Sequence, residues 1–587
     1  MHLPHLLVLS LAFALSSATS PPPPLRRLPT AKQYVEIKRP LSFSSLTPSC
    51  TLPILSHGFG NTINLPPTYA PYTPPVNCTW SRAAIHLSAA ANGTQNNRIA
   101  AVWLDAVEIL RTSTPEPATG DSFWLVEKDV TKYSSLLRKP NLTLAVAVPN
   151  AVNGVFTGFY QLNLTFLYYS NDNDTSTHAV NLPLPLLPQT DESTVEKSEE
   201  IPRILAENYS PNAYDSPADL IIPISAIPGE GFWFKIETAS DVKQKGLQIP
   251  LNSYRAVLEL YISSHSKDEF WYSNPPNSYL EKNNLTTGRG NGAYREVFVT
   301  IDNSTVGSVI PFPVIFSGGI DPLYWDPVVS IGAFDLPSYD IELTPFLGMV
   351  LDGKAHIFRL GVTDAISFWL VDANLHLWLD ANVVVVKAET VEYTAPSVSV
   401  KRKSKFSKLD GKFEIKVKRK SEFSGWVSSS LGNFTTSISE KLEFKNKIKF
   451  KTNGTVKDVK QKVKVKTEME VVSCTGDVYS TKLNRKYPLE ITSQVAGSEE
   501  GKYSIVSDLE TSMEEERSND SFTSSLVNTQ KANGTMYVEN RVVLSGAANT
   551  YQTYSVADDF GCYSRQVSAA GGYISNDTTS VLCTSSL

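Results

Sequence analysis

The sequence has 587 residues, of which 41% are hydrophobic, and a formal net charge of -6. At about 100 to 200 residues per domain, a chain of this length and apolar content predicts three domains, each with its own core. The mildly acidic charge argues against nucleic acid or an anionic membrane as the main partner of the chain.

The first residues predict entry into the secretory pathway. Residues 6–15 read LLVLSLAFAL and are followed by the small residues Ser16, Ser17 and Ala18. Such a run is typical of a signal peptide and is shorter than the roughly 20 residues of a membrane-spanning helix. We therefore predict a signal peptide at residues 1–18, a proline-rich segment at 19–49, and a protein that has no membrane segment once the leader is removed. Its expected location is the extracellular space, the cell wall or a vacuole.

Acceptor sequences for N-glycosylation occur along the whole chain, which supports the predicted leader. They begin at Asn77, Asn92, Asn141, Asn163, Asn173, Asn208, Asn284, Asn303, Asn433, Asn453, Asn519, Asn533 and Asn576.

The five cysteines permit two disulfides in an oxidising compartment. Cys50 and Cys78 lie at the edges of the first predicted β domain and close a short loop, so we predict that they pair. We predict a second bond between Cys562 and Cys583, with Cys474 free or buried. The cysteines are too sparse for a metal site, and we expect neither a metal nor another cofactor.

Strand patterns with a period of two residues predict the fold. In residues 159–169, Tyr160 and Leu162 point to one face while Asn163 points to the other, as in a sheet with one solvated face. The alternation recurs at 254–262 and 297–301. Because no long helical period separates these runs, we predict an all-β fold with antiparallel sandwiches at residues 50–170 and 216–390.

Two changes of composition mark the domain boundaries. Residues 171–215 are rich in acidic residues, Ser, Thr and Pro, which predicts an exposed linker. Because such a segment is a preferred protease site, processing into two associated chains is a further hypothesis. After residues 390–399 the chain becomes lysine-rich, and we predict a further antiparallel β domain at 391–587.

The lysine-rich domain contains long amphipathic strand patterns. In residues 442–450 and 459–471, apolar residues alternate with lysines. The basic face has two interpretations: it binds a polyanion or a cell-wall component, or it is a solvated face whose lysines prevent edge pairing.

Common catalytic motifs are absent from the sequence, but several longer motifs resemble the plant-type peptide N-glycosidase A family. There is no Gly-x-Ser-x-Gly or His-Glu-x-x-His pattern. The resemblance rests on 50–60 (CTLPILSHGFG), 77–82 (NCTWSR), 98–114 (RIAAVWLDAVEILRTST), 126–133 (VEKDVTKY), 290–297 (GNGAYREV), 331–348 (IGAFDLPSYDIELTPFLG) and 372–380 (DANLHLWLD).

The resemblance implies hydrolysis of the amide between an asparagine side chain and the first N-acetylglucosamine of an N-glycan. It also implies two jelly-roll β-sandwiches side by side, with an N-glycosylated peptide or protein bound between them and no metal required. Amide hydrolysis needs a carboxylate that activates water, donors for the oxyanion and an acid for the leaving nitrogen. Candidate catalytic residues in or near the motifs are Asn97, Glu108, Glu116 and Glu296. Candidate substrate-binding residues are Arg98, Arg111, Arg295, Trp103 and Trp124.

Several of these candidates have a structural alternative. We predict one strand at residues 99–110, which puts Glu108 on the face shared by Val102 and Leu104, where a carboxylate must be paired or have a raised pKa. Its alternative is a structural pair with Arg111. The tryptophans stack on sugars in one interpretation and pack in the core in the other.

The chain differs from the resembling family at Asn97. The bacterial enzymes carry an essential aspartate in a Trp-Asp-Arg sequence at the start of this strand, and plant-type members usually read Asp-Arg-Ile there, whereas residues 96–99 here read NNRI. An amide has the shape of a carboxylate but cannot accept a proton from water. Three hypotheses follow: a secreted amidase, a glycan-binding homologue with impaired turnover, and a structural glycoprotein that shares only the fold.

Overall fold

A computed structural model describes residues 31–116, 121–170, 216–473, 476, 478–499, 501–519, 523–540, 542–558 and 561–583. Within these residues the chain is all-β, as predicted, with antiparallel sheets and only short helical turns. The predicted leader, the linker at 171–215 and Cys474 lie outside the described residues. No helix of the described part of the chain has the length and apolar character needed to cross a membrane.

The first sandwich consists of two sheets that share one apolar core. One sheet has the order β1-β7-β4-β9-β2 and the other β3-β8-β5-β6. The strands are β1 (Lys32–Tyr34), β2 (Cys50–Phe59), β3 (Thr68–Tyr72), β4 (Arg82–Asn92), β5 (Ile99–Leu104), β6 (Val107–Ser113), β7 (Ser122–Asp129), β8 (Leu142–Ala147) and β9 (Phe159–Tyr169). A 3-10 turn (Thr131–Tyr133) and a short helix α1 (Ser134–Leu137) follow β7. Strand β1 pairs with β7 in parallel, so part of the proline-rich segment belongs to this sandwich.

The alternation in β9 is confirmed: Tyr160 and Leu162 are buried and Asn163 is exposed. The single strand expected at 99–110 is wrong. Asp105 and Ala106 both have positive φ and form the tight turn of a hairpin between β5 and β6. Glu108 is therefore paired with Trp103 and does not share the face of Val102 and Leu104.

The second sandwich also has two sheets around one core. The first has the order β10-β18-β13-β16, with β11 also paired to β18, and the second has the order β12-β17-β14-β15. The strands are β10 (Leu220–Ile224), β11 (Phe234–Ile236), β12 (Lys243–Gln248), β13 (Ser253–Ser264), β14 (Val297–Ile301), β15 (Ser304–Val309), β16 (Ser338–Glu342), β17 (Ala355–Val362) and β18 (Trp369–Leu379). Short helices are α2 (Asn277–Lys282) and α3 (Leu347–Val350), with 3-10 turns at Ser266–Asp268, Trp271–Ser273, Pro322–Trp325 and Thr344–Phe346.

The C-terminal part is one large antiparallel sheet. Its strands are β19 (Lys387–Thr394), β20 (Lys401–Ser407), β21 (Asp410–Ser429), β22 (Gly432–Lys451), β23 (Val456–Ser473), β24 (Val478–Glu499), β25 (Lys502–Asn519), β26 (Thr523–Glu539), β27 (Val542–Asp558), β28 (Gly561–Ala570) and β29 (Tyr573–Ser580). Because β19 pairs with β21, the sheet begins at Lys387 rather than at residue 391.

One face of this sheet packs on the second sandwich. Tyr279 of α2 stacks on Phe450 with ring centroids 5.2 Å apart, and Tyr294 contacts Phe444 edge to face. The apolar residues of β21 to β24 join the core of the second sandwich, while the lysines between them point away. The predicted amphipathic strands are thus present.

Both predicted disulfides are present in the structure. Cys50 bonds to Cys78, which joins β2 to the segment before β4. Cys562 bonds to Cys583, which joins β28 to the last described residues.

A buried polar network joins the two sandwiches. Arg111 donates from Nε and Nη2 to the two carboxylate oxygens of Glu108, each at 2.7 Å, and both side chains are fully buried. Arg111 also donates to the carbonyl oxygen of Leu370, and Asn374 donates to the carbonyl oxygen of Glu108. Leu370 and Asn374 lie on β18, so the pair is completed by the second sandwich.

Arg111→Met should lower the free energy of unfolding by about 3 to 5 kcal/mol, because it leaves the Glu108 carboxylate buried without its partner. Chemical denaturation measures this loss. The control is Lys502→Met, which breaks the exposed pair with Glu539 and should cost less than about 1 kcal/mol. Equal small losses in both variants would contradict the role of the pair.

Candidate functional site

Residues 96–98 form a fixed loop at the edge of the first sandwich, just before β5. The Tyr160 hydroxyl donates to the carbonyl oxygen of Asn96 at 2.9 Å. Arg98 is held through its backbone, because its N–H donates to Thr114 Oγ1 at 2.9 Å and its carbonyl accepts from the Thr114 N–H at 2.8 Å. The loop therefore presents Asn97 and the Arg98 side chain from a rigid frame.

The Arg98 guanidinium has neutral hydrogen-bond partners. It donates to Asn150 Oδ1 at 3.2 Å and to Gln95 Oε1 at 2.9 Å. Burial lowers the pKa of Arg98, while the nearby Glu116 carboxylate opposes this shift. Its positive charge is thus available to stabilise negative charge near Glu116.

Asn97 and Glu116 converge on a glycine of the second sandwich. The Asn97 N–H donates to Glu116 Oε2 at 3.4 Å. A β-carbon added to Gly318 would lie 2.3 Å from Glu116 Oε2 and 2.9 Å from Asn97 Oδ1. Only glycine leaves space here for both side chains, so Gly318 marks the point where the two sandwiches meet around polar atoms.

The second sandwich contributes Glu269 and Arg289 to the same place. Asp268, the residue before Glu269, accepts two hydrogen bonds from Arg295, each at 2.7 Å, and one from Trp369 Nε1 at 2.6 Å. This buried clamp fixes the backbone immediately before Glu269. Arg289 is largely buried with its guanidinium over the Phe270 ring, 5.3 Å from the centroid.

The two carboxyl groups titrate near neutrality. Burial raises the pKa of Glu116 to about 7, although the Asn97 N–H and the Arg98 charge oppose it. Burial also raises the pKa of Glu269 to about 7, with Arg289 opposing and the Glu116 carboxylate adding to the rise. Because two nearby carboxylates repel each other, ionisation of one favours protonation of the other. The pair can hold a base and an acid at the same pH.

Two buried hydroxyl groups near the carboxyl pair have no hydrogen-bond partner among the described residues. They are Ser317 Oγ, next to Gly318, and the Tyr272 hydroxyl, which lies close to Glu269 and Arg289. Buried polar atoms are nearly always satisfied in folded proteins, so unpaired donors beside a polar cluster suit a bound ligand. We call Asn97, Glu116, Glu269, Arg289 and Gly318, together with these two hydroxyls, the inter-sandwich site.

His265 forms part of the surroundings of this site. Its ring stacks between Phe316 and Phe368 at centroid distances of 5.5 and 5.3 Å. Burial, assisted by the Arg111 charge, lowers the pKa of His265 to about 3. The imidazole is therefore neutral at physiological pH and offers no charge to the site.

The structure brings together only some of the predicted site residues. Asn97, Arg98 and Glu116 lie at the inter-sandwich site. Glu108 and Arg111 form the buried pair described above, which favours their structural alternative. Their roles in catalysis stay a prediction.

The remaining predicted residues lie elsewhere. Glu296 is fully buried, where it accepts hydrogen bonds from the Tyr294 hydroxyl and from Arg419 of the C-terminal sheet. Arg295 acts on the site through Asp268. Trp103 and Trp124 are 0% and 3% exposed, so neither ring presents a face to a sugar, and core packing is favoured.

Sequence reasoning missed Glu269, Arg289 and Gly318. Glu269 lies in the run SKDEFWY at residues 266–272, where charged residues precede three aromatic residues that become buried. That run was the available signal. Among the described residues no group of three or more His, Cys, Asp or Glu side chains converges in a way that suits a metal ion.

Comparison with known proteins assigns the family. Residues 38–396 match the sequence profile of the family peptide N-acetyl-beta-D-glucosaminyl asparaginase amidase A, and residues 412–489 match that of the PNGase_A C-terminal domain. The chain is 37% identical over 568 residues to the peptide-N4-(N-acetyl-beta-glucosaminyl)asparagine amidase A of Prunus dulcis, covering 96% of this chain and 95% of that protein. The chain belongs to the peptide N-acetyl-beta-D-glucosaminyl asparaginase amidase A family.

Solved structures resemble the chain more distantly. Recombinant N-glycanase F is 13% identical, covers 56% of this chain and 95% of its own, and has a TM-score of 0.33. PNGF-II is 10% identical, covers 56% of this chain and 65% of its own, and has a TM-score of 0.34. Similarity at this level carries no further argument.

The raised pKa values predict how stability depends on pH. A carboxyl group with an ordinary pKa of 4.5 in the unfolded chain and about 7 in the folded protein holds its proton longer in the folded state. Stability therefore falls as the pH rises through this window. Glu116→Gln and Glu269→Gln remove this dependence, so each variant should be more stable than wild type at pH 8 and similar to it at pH 4.5.

Thermal unfolding at a series of pH values checks this expectation. Glu281→Gln, at an exposed position on α2, is the control and should follow the wild-type curve. If the melting temperature of each site variant changes with pH in the same way as that of wild type, neither carboxyl group has a raised pKa.

Proposed function

We propose that this protein is a secreted amidase that hydrolyses the bond between an asparagine side chain and the first N-acetylglucosamine of an N-glycan, releasing the glycan from glycopeptides or glycoproteins. The observation that carries the proposal is the convergence of Glu116 and Glu269, from different sandwiches, with pKa values near 7. Family membership and the amidase name of the almond relative support it. The leader and the sequons support secretion.

The site supplies the groups that amide hydrolysis requires. Each carboxyl group has a nearby arginine that favours its ionised form, Arg98 for Glu116 and Arg289 for Glu269. We assign Glu269 as the base and Glu116 as the acid. Glu269 accepts a proton from water while the water oxygen attacks the amide carbonyl carbon. Glu116 then donates its proton to the nitrogen as the carbon–nitrogen bond breaks, which leaves an aspartate in the peptide and a free glycosylamine.

The developing oxyanion needs preorganised donors. The Tyr272 and Ser317 hydroxyls are the candidates, because both lie at the site and neither has a hydrogen-bond partner in the described part of the chain. No step of this scheme requires a metal ion.

Asn97 favours a second candidate function, a glycan-binding protein with impaired turnover. Its amide lies beside Glu116 at the position where the resembling enzymes carry an aspartate, and it cannot accept a proton. Incubation with a glycopeptide, followed by mass spectrometry of peptide and glycan, separates the candidates. Conversion of asparagine to aspartate together with free glycan indicates an amidase. Binding of the glycopeptide without release of the glycan indicates a binding protein. If the protein neither releases nor binds the glycan, a structural role is the remaining hypothesis.

Glu116→Gln and Glu269→Gln should each lower kcat by about a hundredfold to ten-thousandfold, the usual contribution of a positioned acid or base. Glycopeptide turnover followed by chromatography measures this loss. Glu281→Gln makes the same change at an exposed position of the second sandwich and should turn over as wild type does. Retention of full kcat in both site variants would remove the pair from the mechanism.

Asn97→Asp should raise the rate by about a hundredfold or more, because it adds beside Glu116 a second carboxylate that accepts a proton from water in addition to Glu269. The new carboxylate also raises the pKa of Glu116, so that the acid stays protonated at higher pH. Asn96→Asp, one residue earlier in the same loop, is the matched control and should not accelerate turnover. An unchanged rate in Asn97→Asp would mean that a carboxylate at residue 97 takes no part in proton transfer.

A further inference from the structure

The outward face of the C-terminal sheet carries a row of directly opposed lysines. Lys401 on β20 pairs in register with Lys416 on β21, which pairs with Lys445 on β22, which pairs with Lys462 on β23. All four side chains are exposed, and none has an ion-pair partner within 4 Å among the described residues. We call these four residues the lysine row.

Electrostatic repulsion between the four lysines destabilises the sheet, and the fold does not need lysine at these positions. Adjacent strands lie about 4.8 Å apart, and like charges directly opposite each other destabilise a sheet. Lysines also protect the edges of sheets from pairing with other chains. That explanation does not apply to Lys416, Lys445 and Lys462, because β21, β22 and β23 each have a neighbouring strand on both sides.

Acidic residues beside the row make their ion pairs with other lysines, although Glu414 and Glu443 also interact electrostatically with Lys416 and Lys445. Nearby acidic residues on the same face are already paired: Glu414 contacts Lys412, Glu443 contacts Lys418, and Glu490 contacts Lys460. Other lysines on this face have no acidic partner within 4 Å in the described part of the chain and extend the positive region. They include Lys403, Lys405, Lys441, Lys447, Lys449 and Lys464.

Charge is segregated across the face. Strand β25 carries Asp508, Glu510, Glu514 and Glu516 on the same side of the sheet, opposite the residues of β24. The sequon at Asn533 lies in this acidic half, paired with Asp508. The sequon at Asn433 lies at the start of β22, and the one at Asn453 lies in the turn between β22 and β23. The lysine row is therefore free of acceptor sites for glycans.

We propose that the lysine row binds a linear acidic polysaccharide whose sugars carry carboxylate groups. A chain laid across the four strands meets a lysine at each strand over about 14 Å, and a polyuronate offers one carboxylate per sugar. Electrostatic attraction to such a polymer offsets the repulsion within the row.

The composition of the face distinguishes this partner from other polyanions. The outward positions from Lys412 to Glu422 and from Lys441 to Lys449 hold only lysine and acidic residues. Arginine forks and aromatic rings that stack on bases, which are typical of nucleic-acid binding, are missing from these positions. Apolar side chains that would enter a membrane interface are missing there as well.

The test compares the full chain with a variant carrying Lys401→Gln, Lys416→Gln, Lys445→Gln and Lys462→Gln. Polygalacturonate is the probe, and its methyl-esterified form is the uncharged comparison. We expect wild type to bind polygalacturonate, with affinity falling at high ionic strength, and the variant to bind at least about tenfold more weakly. The variant should melt no lower than wild type, because it removes like-charge repulsion.

The matched control removes the same number of charges outside the C-terminal sheet, with Lys139→Gln, Lys235→Gln, Lys282→Gln and Lys354→Gln, and should bind as wild type does. Glycopeptide turnover should be unchanged in both variants, which separates this proposal from the amidase. The proposal fails if the row variant binds polygalacturonate as wild type does or if the esterified polymer binds equally well. Tighter binding to duplex DNA or to phosphatidylserine vesicles at the same salt concentration would also overturn it.

Discussion

The relative position of the two sandwiches depends on the buried ion pair between Glu108 and Arg111. Two fully buried charges are tolerated only where their remaining hydrogen bonds are satisfied, and here β18 of the second sandwich supplies those partners through Leu370 and Asn374. A different docking angle would leave the pair unsatisfied in an apolar surrounding. The interaction therefore specifies one orientation, and that orientation brings the loop at 96–98 to face Gly318.

Carboxyl groups at this junction differ in their hydrogen-bond partners. Asp268 accepts both hydrogen bonds of a buried arginine fork, as Glu108 does, and each is a fixed structural element. Glu116 and Glu269 have no such bidentate contact with an arginine, and burial raises the pKa of each to about 7. The two carboxyl groups with a bidentate arginine partner hold the structure, and the two without one are those that we propose for proton transfer. This difference is visible only in three dimensions.

Local patterns predicted the strands, and contacts between domains decided the site. Alternation placed Asn163 on the solvated face because β9 is buried on one side only. The hairpin at Asp105 and Ala106 was missed, since neither residue is the glycine that usually marks two successive positive φ angles. Glu269 was missed for another reason. It comes close to Glu116 only because the two sandwiches dock, and the periodicity of either segment carries no information about that docking. Glu296 was chosen from a motif, but the C-terminal sheet covers it.

The C-terminal sheet shows what register adds to a pattern. Alternation in the sequence predicts an apolar face and a basic face. Any strand register that differs by an even number of residues leaves each side chain on the same face, so the alternation does not determine the register. Only the pairing of Lys416 with Lys445, and of Lys445 with Lys462, turns scattered lysines into a row. Shifting β22 by two residues relative to β21 would place Lys416 opposite an acidic residue, Glu443, while the same side chains remained outward. The inner face and its contacts with the second sandwich fix the register, so the lysines on the outer face are held opposite one another and repel. In our proposal, binding of an acidic polysaccharide offsets this repulsion.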